Sequence, residues 1–147
     1  MKAVIQRVKY ASVSYNNVFE EISKGIVVFL AVAQNDTQED INYLIKKILN
    51  LRIFENETGK MDKSVLDING EVLIVSEFTL YGDCSGGNRP DFTFAAKPDY
   101  AEKLYNYFVE QIKEVIGEKL KTGKFKEHMI VEIHNDGPVT IILESKK

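Results

Sequence analysis

Alternating apolar and polar positions open the chain and predict β-strands at its amino-terminal end. Residues 2–8, 11–15 and 18–22 alternate with a period of two, the spacing of a strand with one buried face. Asn16-Asn17 separates the second and third segments and is a favourable two-residue hairpin turn. Residues 25–33 are continuously apolar, which is typical of a strand buried on both faces.

Two later segments repeat apolar residues at the spacing of a helix face. The first follows Thr37 and Asp40, whose spacing resembles a capping box, and closes at the turn residues 56–59. The second begins near Pro98, with Glu102 placed to complete a cap. The apolar faces are Ile41, Leu44, Ile45, Ile48, Leu49 and Ile53 in the first helix, and Ala101, Leu104, Tyr105, Phe108, Ile112, Val115 and Ile116 in the second.

Further strand-like runs lie at 71–80, 128–134 and 138–145. Strands at both ends with two amphipathic helices between them predict an α+β fold. We expect one domain, residues 1–147, because this length is usual for one domain and no linker or repeat interrupts it. Its sheet is expected to be mostly antiparallel and to curl into an open barrel.

Composition narrows the possible functions. Hydrophobic residues make up 44% and charged residues 28%, as in an ordinary soluble protein, and no apolar run approaches the roughly 20 residues of a membrane span. The net charge of −3 argues against binding along a duplex, although not against capture of a nucleic-acid end. The single cysteine, Cys84, excludes an internal disulfide and fits the reducing cytoplasm.

Metal and thiol chemistry have little support in the sequence. One cysteine and two histidines, His128 and His134, cannot assemble a closed zinc site, and no spacing indicates a carboxylate-held metal. We therefore expect no metal and no cofactor. A hydrolase that uses Cys84 with one of these histidines is a rival hypothesis, although a lone cysteine is more often without a catalytic role.

Three segments contain polar, glycine or proline residues in positions that a structural scaffold does not require. In "VSEFTLYGD", residues 75–83, polar residues gather at the end of a core strand, a rigid position for a site. In "SGGNRPDF", residues 85–92, paired glycines allow close backbone approach and Arg89 suits phosphate or carboxylate. Solvent-facing polar residues and a mobile loop are the respective alternatives.

The third segment is Gly137-Pro138, where a proline follows the glycine of a turn cluster and a strand resumes at once. A returning strand needs backbone donors, which proline lacks. A trans proline at the first residue of an edge strand is the simpler alternative to a cis bond, which is uncommon and usually retained for a purpose.

Ordered motifs along the whole chain closely resemble the D-aminoacyl-tRNA deacylase family, first described for D-tyrosyl-tRNA. The motifs are "AVIQRV" with "ASV" (3–13), "RIF" with "GKM" (52–61), "VSEFTLYGD" (75–83), "RPDF" (89–92), "YFVE" (107–110), "TGKF" with Met129 (122–129) and "NDGPVT" (135–140). Several motifs in order are a specific signal, whereas one of them alone would be weak.

The resemblance implies hydrolysis of the ester between a D-amino acid and the terminal adenosine of tRNA. It implies a homodimer in which a cis Gly137-Pro138 pair enters the partner's pocket and excludes L-amino acids by steric collision. Glycine has no side chain to collide, so glycine mischarged on alanine tRNA is also expected to be removed. The partners are thus the tRNA acceptor end and a second copy of the chain, with no membrane.

The resemblance also assigns residues. Ser76, Phe78 and Thr79 belong to the catalytic segment, whose backbone amides stabilise the oxyanion while the ribose 2′-OH of the tRNA activates water; Thr79 is the older candidate for a nucleophile. Binding roles fall to the residues expected around the amino acid, the adenine and the Gly-Pro loop. They are Gly137, Pro138, Glu77, Phe92, Met129 and Arg7.

Two positions depart from the family pattern. Glu77 stands where glutamine is common and Asp91 where serine is common, so each adds negative charge beside a site meant for an RNA end. Four lysines, at 119, 121, 124 and 126, form either a patch for the acceptor stem or a solvated helix end. A non-catalytic module that binds an RNA end or a nucleotide is the main alternative function.

Overall fold

The computed structural model describes residues 1–146 and contains eight strands and two helices within that range. The strands are β1 Lys2–Tyr15, β2 Val18–Ile22, β3 Gly25–Ala31, β4 Phe54–Glu55, β5 Met61–Lys63, β6 Glu71–Ser76, β7 Leu120–Thr122 and β8 Ile130–Glu144. The helices are α1 Gln38–Asn50 and α2 Pro98–Ile116, and short 3-10 turns follow β6 and α2.

The long strand β1 organises the main sheet. It pairs antiparallel with β3 through its first half, with β2 through its second half, and with β8 along its other edge. The predicted strands 2–8 and 11–15 are thus one strand, and the hairpin turn at Asn16-Asn17 is confirmed. Lys9 is an extra residue in the pairing with β8. Ala11 and Val13 therefore face the same side of the sheet as Val8, whereas Ala3 and Ile5 face the other side.

The sheet is mixed and nearly closed. The strand order β2-β1-β3-β6-β7 includes two parallel pairings, β3 with β6 and β6 with β7, beside the three antiparallel pairings of β1. An ion pair of 3.9 Å between Lys121 of β7 and Glu20 of β2 links the two ends of that order. The predicted α+β fold with a curled, mainly antiparallel sheet and two helices is confirmed.

Two apolar cores lie on opposite faces of this sheet. Helices α1 and α2 cover one face, and their buried residues pack against β1, β3 and β6. The concave face encloses a smaller cluster of Val8, Ala11, Val13, Ile22, Val27, Leu73 and Val75. Because β3 and β6 contribute to both clusters, the continuously apolar pattern of residues 25–31 is explained.

Both helices keep the predicted apolar faces but differ at their ends. In α1 the Thr37 amide donates to the Asp40 carboxylate over 2.8 Å, so the capping interaction is confirmed, and the helix ends at Asn50. In α2 Pro98 occupies the first helical position without a side-chain cap, so a cap from Glu102 was wrong. Val115 is exposed and does not belong to the buried face.

The two ends of the described chain meet at Asp36. The amino group of Met1 donates to the buried Asp36 carboxylate over 2.7 Å, and the Ala33 amide donates to its other oxygen over 2.6 Å. Lys146 binds Asp36 and also Asp40. Burial acts to raise the pKa of Asp40, but hydrogen bonds from Thr37, Ser145 and Lys146 outweigh it and lower that pKa to about 2.

The segment 134–140 does not form the expected turn between two strands. Residues 130–144 are one strand, and between the pairs Gln6–Thr140 and Val8–Asn135 the strand β1 advances two residues while β8 advances five. The surplus residues of β8 therefore bulge out of the sheet edge opposite Arg7. Pro138 lies in this protrusion, where a missing amide donor breaks no ladder hydrogen bond.

Within residues 1–146 neither helix is long and apolar enough to cross a membrane.

Candidate active site

The strand β6 ends at Ser76, and the chain then turns at once into a 3-10 helix, Phe78–Tyr81, in place of the longer strand expected to residue 80. The Glu77 amide donates to the Leu30 carbonyl over 2.8 Å, which anchors the turn to β3. The next two amides, of Phe78 and Thr79, have no hydrogen-bond partner among the described residues, as the first turn of a helix leaves them. The turn therefore presents two adjacent backbone donors.

These donors border a cleft of about 720 Å³. Its walls come from the ends of β3 and β6, the start of α2, the loop before α2 and the segment that joins β7 to β8. The cleft is lined mainly by apolar groups, including Phe29, Ala31, Val32, Val75, Phe92, Ala95, Ala96, Pro98, Ala101, Phe125, Met129 and Val131. A cleft of this size and polarity suits a small organic group such as an amino acid joined to a nucleoside.

The structure brings together six of the nine predicted site residues and separates the other three. Ser76, Glu77, Phe78, Thr79, Phe92 and Met129 all line the cleft. The rings of Phe78 and Phe92 meet edge to face with centroids 5.1 Å apart. Arg7, Gly137 and Pro138 lie outside the cleft of their own chain.

Arg7 fixes the base of the β8 protrusion. Its side chain is only 8% exposed, its Nε donates to the Asp136 carbonyl over 3.1 Å, and its Nη1 donates to the Ile53 carbonyl over 2.8 Å. The Asn135 side chain donates to the Thr140 hydroxyl over 3.2 Å and so ties the two sides of the protrusion together. The exposed Gly137-Pro138 pair, whose peptide bond is cis, is thus held on a supported loop.

Glu77 is the acidic group beside the free amides. Burial in the cleft raises the pKa of its carboxyl, and a hydrogen bond of 3.4 Å from the Thr79 hydroxyl opposes that shift. The Glu77 carboxyl therefore becomes negatively charged at a higher pH than a solvated glutamate does. Glu77 lines the cleft and therefore faces the site.

Asp91 behaves differently from Glu77. Its carboxylate accepts hydrogen bonds from the amide and hydroxyl of Thr93, over 2.9 and 2.5 Å, and it is not among the residues that line the cleft. The backbones of Asp83 and Asp91 pair with each other, so the intervening glycine-rich segment, with Arg89, forms an exposed loop. The extra charge of Asp91 is used to cap its own loop.

The thiol hypothesis finds no geometry to support it. Cys84 is exposed and does not line the cleft, whereas His128 does line it. His134 lies on β8, where its ring contacts Tyr10 and the Glu132 carboxylate. No thiol–histidine pair is therefore formed among the described residues.

Sequence reasoning missed one wall of the cleft. Residues Phe125, Lys126, Glu127 and His128 line it together with Met129, although only Met129 was predicted there for its binding role. Gly123 permits this arrangement, because a Cβ at that position would lie 2.5 Å from the Met129 sulfur. The "TGKF" motif was the available signal, since an isolated glycine at a strand indicates a close approach.

Within residues 1–146 no group of three or more histidine, cysteine, aspartate or glutamate side chains is placed to hold a metal ion. The polar groups in the cleft are instead backbone amides, hydroxyls, two carboxylates, a lysine and a histidine.

The fold and the cleft define a class of protein: a small α+β protein with adjacent backbone donors at the end of an apolar cleft. Comparison with known proteins specifies it further. The family model described as D-Tyr-tRNA(Tyr) deacylase matches residues 4–144. The chain therefore belongs to the D-tyrosyl-tRNA deacylase family.

Individual relatives are similar to this chain over nearly their full length. The chain is 57% identical to a D-aminoacyl-tRNA deacylase of Caldicellulosiruptor saccharolyticus and 53% identical to one of Thermosipho melanesiensis, covering 100% of this chain and 99% of each relative. A solved structure titled c-Myc DNA Unwinding Element Binding Protein has a TM-score of 0.95 and 47% identity, with 100% of both chains covered. A probable eukaryotic D-amino acid tRNA deacylase, at 16% identity and a TM-score of 0.86 over 97% of this chain and 98% of that one, shares the fold.

Proposed function

We propose that the protein hydrolyses the ester bond of D-aminoacyl-tRNA and releases a free D-amino acid and tRNA. The observation that carries the proposal is the pair of unpartnered amides of Phe78 and Thr79 at an apolar cleft. The names of the relatives, at more than 50% identity over the whole chain, support the choice of substrate.

The reaction needs stabilised negative charge more than a strong nucleophile. Water adds to the ester carbonyl, the carbonyl oxygen becomes an oxyanion, and the bond to the ribose oxygen then breaks as that oxygen takes a proton. The two amides donate to the oxyanion from fixed positions, which is the larger part of catalysis for such an ester. The ribose 2′-OH of the tRNA activates the water.

The position of Thr79 supports water as the nucleophile. Its hydroxyl donates to the Glu77 carboxylate over 3.4 Å, and no histidine or lysine forms a hydrogen bond with it among the described residues. A carboxylate is a weak base for a hydroxyl, so the side chain lacks the activation that a nucleophile requires. Thr79 contributes its backbone amide, and its hydroxyl orients Glu77.

Chiral selection is assigned to the Gly137-Pro138 pair of a partner subunit. The pair is exposed, projects from the sheet edge and lies outside the cleft of its own chain, so a second copy is the site it can reach. Pocket contacts discriminate by only about 1–3 kcal/mol per small group. A stiff backbone that collides with an L side chain discriminates further, and glycine, which has no side chain, is also removed when mischarged on alanine tRNA.

A homodimer follows from this assignment. Ile130 and Ile142, on the outward face of β8 at opposite ends of the protrusion, are 63% and 65% exposed. Within the described residues β8 pairs with β1 alone, so its outer edge is open. Apolar side chains along an open strand edge favour association with a second copy. We place the enzyme in the cytoplasm with its tRNA substrate.

The test is hydrolysis of D-tyrosyl-tRNA against L-tyrosyl-tRNA, by the wild type and by a variant with Gly137→Ala and Pro138→Ala. We expect the wild type to cleave the D-ester alone, and the variant to lose activity or chiral selectivity. Cys84→Ser, an exposed substitution outside the cleft, is the control and is expected to match the wild type. Loss of activity in that control would revive the thiol hypothesis.

The second candidate is a non-catalytic module that binds a nucleic-acid end. The name of the relative with a TM-score of 0.95, which refers to DNA binding, is the observation in its favour. The net charge of −3 disfavours binding along a duplex. Retention of D-tyrosyl-tRNA without release of tyrosine would establish the binding module and overturn the enzyme.

A further inference from the structure

The segment between β7 and β8 contains an unusual backbone conformation at the edge of the cleft. Three non-glycine residues among those described have positive φ, and two of them, Asn16 and Asn69, are asparagines, which tolerate it. The third is Lys126, with φ of 71°. Lys126 is the third residue of a turn that the Glu127 amide closes by donating to the Lys124 carbonyl over 3.3 Å. A lysine in this conformation carries a cost of roughly 1–2 kcal/mol that glycine would not.

Lys126 is also an unpaired cation. It lines the cleft and is exposed, yet it forms no ion pair within 4.0 Å among the described residues. Most lysines of the described residues are likewise without an ion-pair partner, so what distinguishes Lys126 is its position in the lining of the cleft. The two carboxylates that line the same cleft, Glu77 and Glu127, are both outside ion-pair distance of Lys126. Its charge is therefore available to a ligand in the cleft.

The position of this charge matches the shape of the proposed substrate. The ester carbonyl belongs at the amides of Phe78 and Thr79, and the amino acid with the terminal nucleoside occupies the apolar cleft. The RNA chain must leave the cleft through its open side. The first charged group after the terminal nucleoside is a phosphodiester. Lysine is a common phosphate ligand in proteins.

We propose that Lys126 binds the phosphate that joins the terminal nucleotide of the substrate to the nucleotide before it. This inference rests on the proposed function and adds a specificity-determining residue to the same site. The left-handed backbone at Lys126 turns the chain at the cleft edge, where the lysine lines the cleft. The enzyme thereby distinguishes the end of a polynucleotide from a free aminoacyl nucleoside.

The test compares two substrates that differ in phosphate. One is D-tyrosyl-tRNA, and the other is the D-tyrosyl ester of adenosine, which has no phosphate. Lys126→Gly removes the charge and suits the positive φ, so it is expected to fold. Lys124→Gly is the matched control, because Lys124 is exposed two residues earlier and does not line the cleft.

For Lys126→Gly we expect KM for D-tyrosyl-tRNA to rise on the order of tenfold, as for loss of one charge-assisted hydrogen bond, with kcat unchanged. The dependence of log(kcat/KM) on log salt should become shallower by about 0.7, the value for one contact to a single strand. Hydrolysis of the adenosine ester should not change. Lys124→Gly should match the wild type on both substrates.

An equal loss on both substrates, or no loss on either, would overturn the phosphate contact while leaving the proposed function in place. If the wild type hydrolyses neither ester, the proposed function fails, and the contact is then tested by binding. Titration of the dinucleotide CpA and of adenosine, followed by NMR shifts of the cleft residues, gives that readout. Weaker binding of CpA alone by Lys126→Gly supports the contact, and equal binding refutes it.

Discussion

At the scale of single residues, the site depends on backbone groups whose positions are fixed by neighbouring side chains. Within residues 1–146 the amides of Phe78 and Thr79 have no hydrogen-bond partner, because they begin a helical turn. Glu77 anchors that turn to β3 through its own amide. The Phe78 ring is 55% exposed and rests edge to face against Phe92, so it covers the cleft without filling the core. The proposed oxyanion donors are backbone amides, so they do not depend on the chemistry of the Phe78 and Thr79 side chains.

The contribution of one amide is measurable with a pair of variants at Phe78. Phe78→Ala removes the ring and keeps the amide, whereas Phe78→Pro removes both, and proline is favoured at the first helical position. We expect kcat of Phe78→Pro to fall about 10²–10³-fold below that of Phe78→Ala, as for loss of one oxyanion donor. Single-turnover hydrolysis of D-tyrosyl-tRNA gives both rates. Equal rates would mean that the Phe78 amide does not contact the oxyanion.

We expect Glu77 to make activity depend on pH. Because burial raises its pKa, the carboxyl is neutral below the raised pKa and negative above it, where it repels the RNA end. In Glu77→Gln this repulsion is absent, so the variant should exceed the wild type in kcat/KM above that pKa by about fivefold, or about 1 kcal/mol, and equal it below.

Stability should follow the same titration of Glu77. A raised carboxyl pKa contributes stability below the ordinary value of 4.5, and this contribution is lost as pH rises through the raised pKa. Measurements of kcat/KM and of urea unfolding from pH 4 to 8 check both statements. If the ratio of kcat/KM for Glu77→Gln to kcat/KM for the wild type is constant over this pH range, the pH dependence does not come from Glu77.

At the scale of elements, the parallel pair β3 and β6 positions the turn that carries the Phe78 and Thr79 amides. The pair begins where Gly25 meets Glu71, and the Glu71 amide donates to the Lys24 carbonyl over 3.1 Å. A Cβ at Gly25 would lie 1.8 Å from the Glu71 carbonyl oxygen, a backbone atom that cannot move aside. The strands approach this closely only because residue 25 is glycine.

Gly25→Ala should therefore separate the two strands at their start. We expect a loss of about 3 kcal/mol or more in the free energy of unfolding, at the upper end of overpacking, together with reduced kcat. Gly86→Ala is the control, because nothing lies within 4 Å of a Cβ there, and it should stay within about 0.5 kcal/mol of the wild type. Urea unfolding followed by circular dichroism measures both. Similar midpoints for the two variants would contradict the close approach.

At the scale of the whole molecule, the cleft and the Gly137-Pro138 protrusion of one chain lie in different places. The protrusion is at the β8 edge of the sheet, opposite Arg7, and the cleft is at the ends of β3 and β6. The proposed homodimer brings the two together between subunits. Its mass in solution should be twice the 16.7 kDa of one chain.

Complementation tests the shared site. Phe78→Pro damages the cleft and the Gly137→Ala, Pro138→Ala variant damages the protrusion, so neither homodimer should have D-selective activity. Mixing them with subunit exchange should restore activity, to at most about a quarter of the wild type, because half of the dimers are mixed and each of these has one intact site. Ile142→Glu, on the outward face of β8, should weaken the dimer in sedimentation. No recovery on mixing would show that each site is built within one chain.

The local pattern of the sequence determined the elements. Alternation predicted β1 and β2, apolar runs predicted β3 and β6, and the 3.6-residue spacing predicted α1 and α2, because these signals arise between residues close in the chain. The polar cluster after Val75 marked the turn that follows β6. The tertiary structure decided how distant segments meet. It joined residues 130–144 into one strand, placed Lys126 and His128 at the cleft, and set Arg7 beneath the Asp136 carbonyl.

Those outcomes depend on register between segments more than 100 residues apart. Val8 pairs with Asn135 and Gln6 with Thr140, and a shift of one residue in either pair would move Arg7 away from the protrusion. Turn residues such as Asn135 and Gly137 have the same local preferences in a hairpin and in a bulge, so local pattern predicted a turn where pairing with β1 produced a bulge. The bulge forms because of the strand register across the sheet, which is a property of the whole fold.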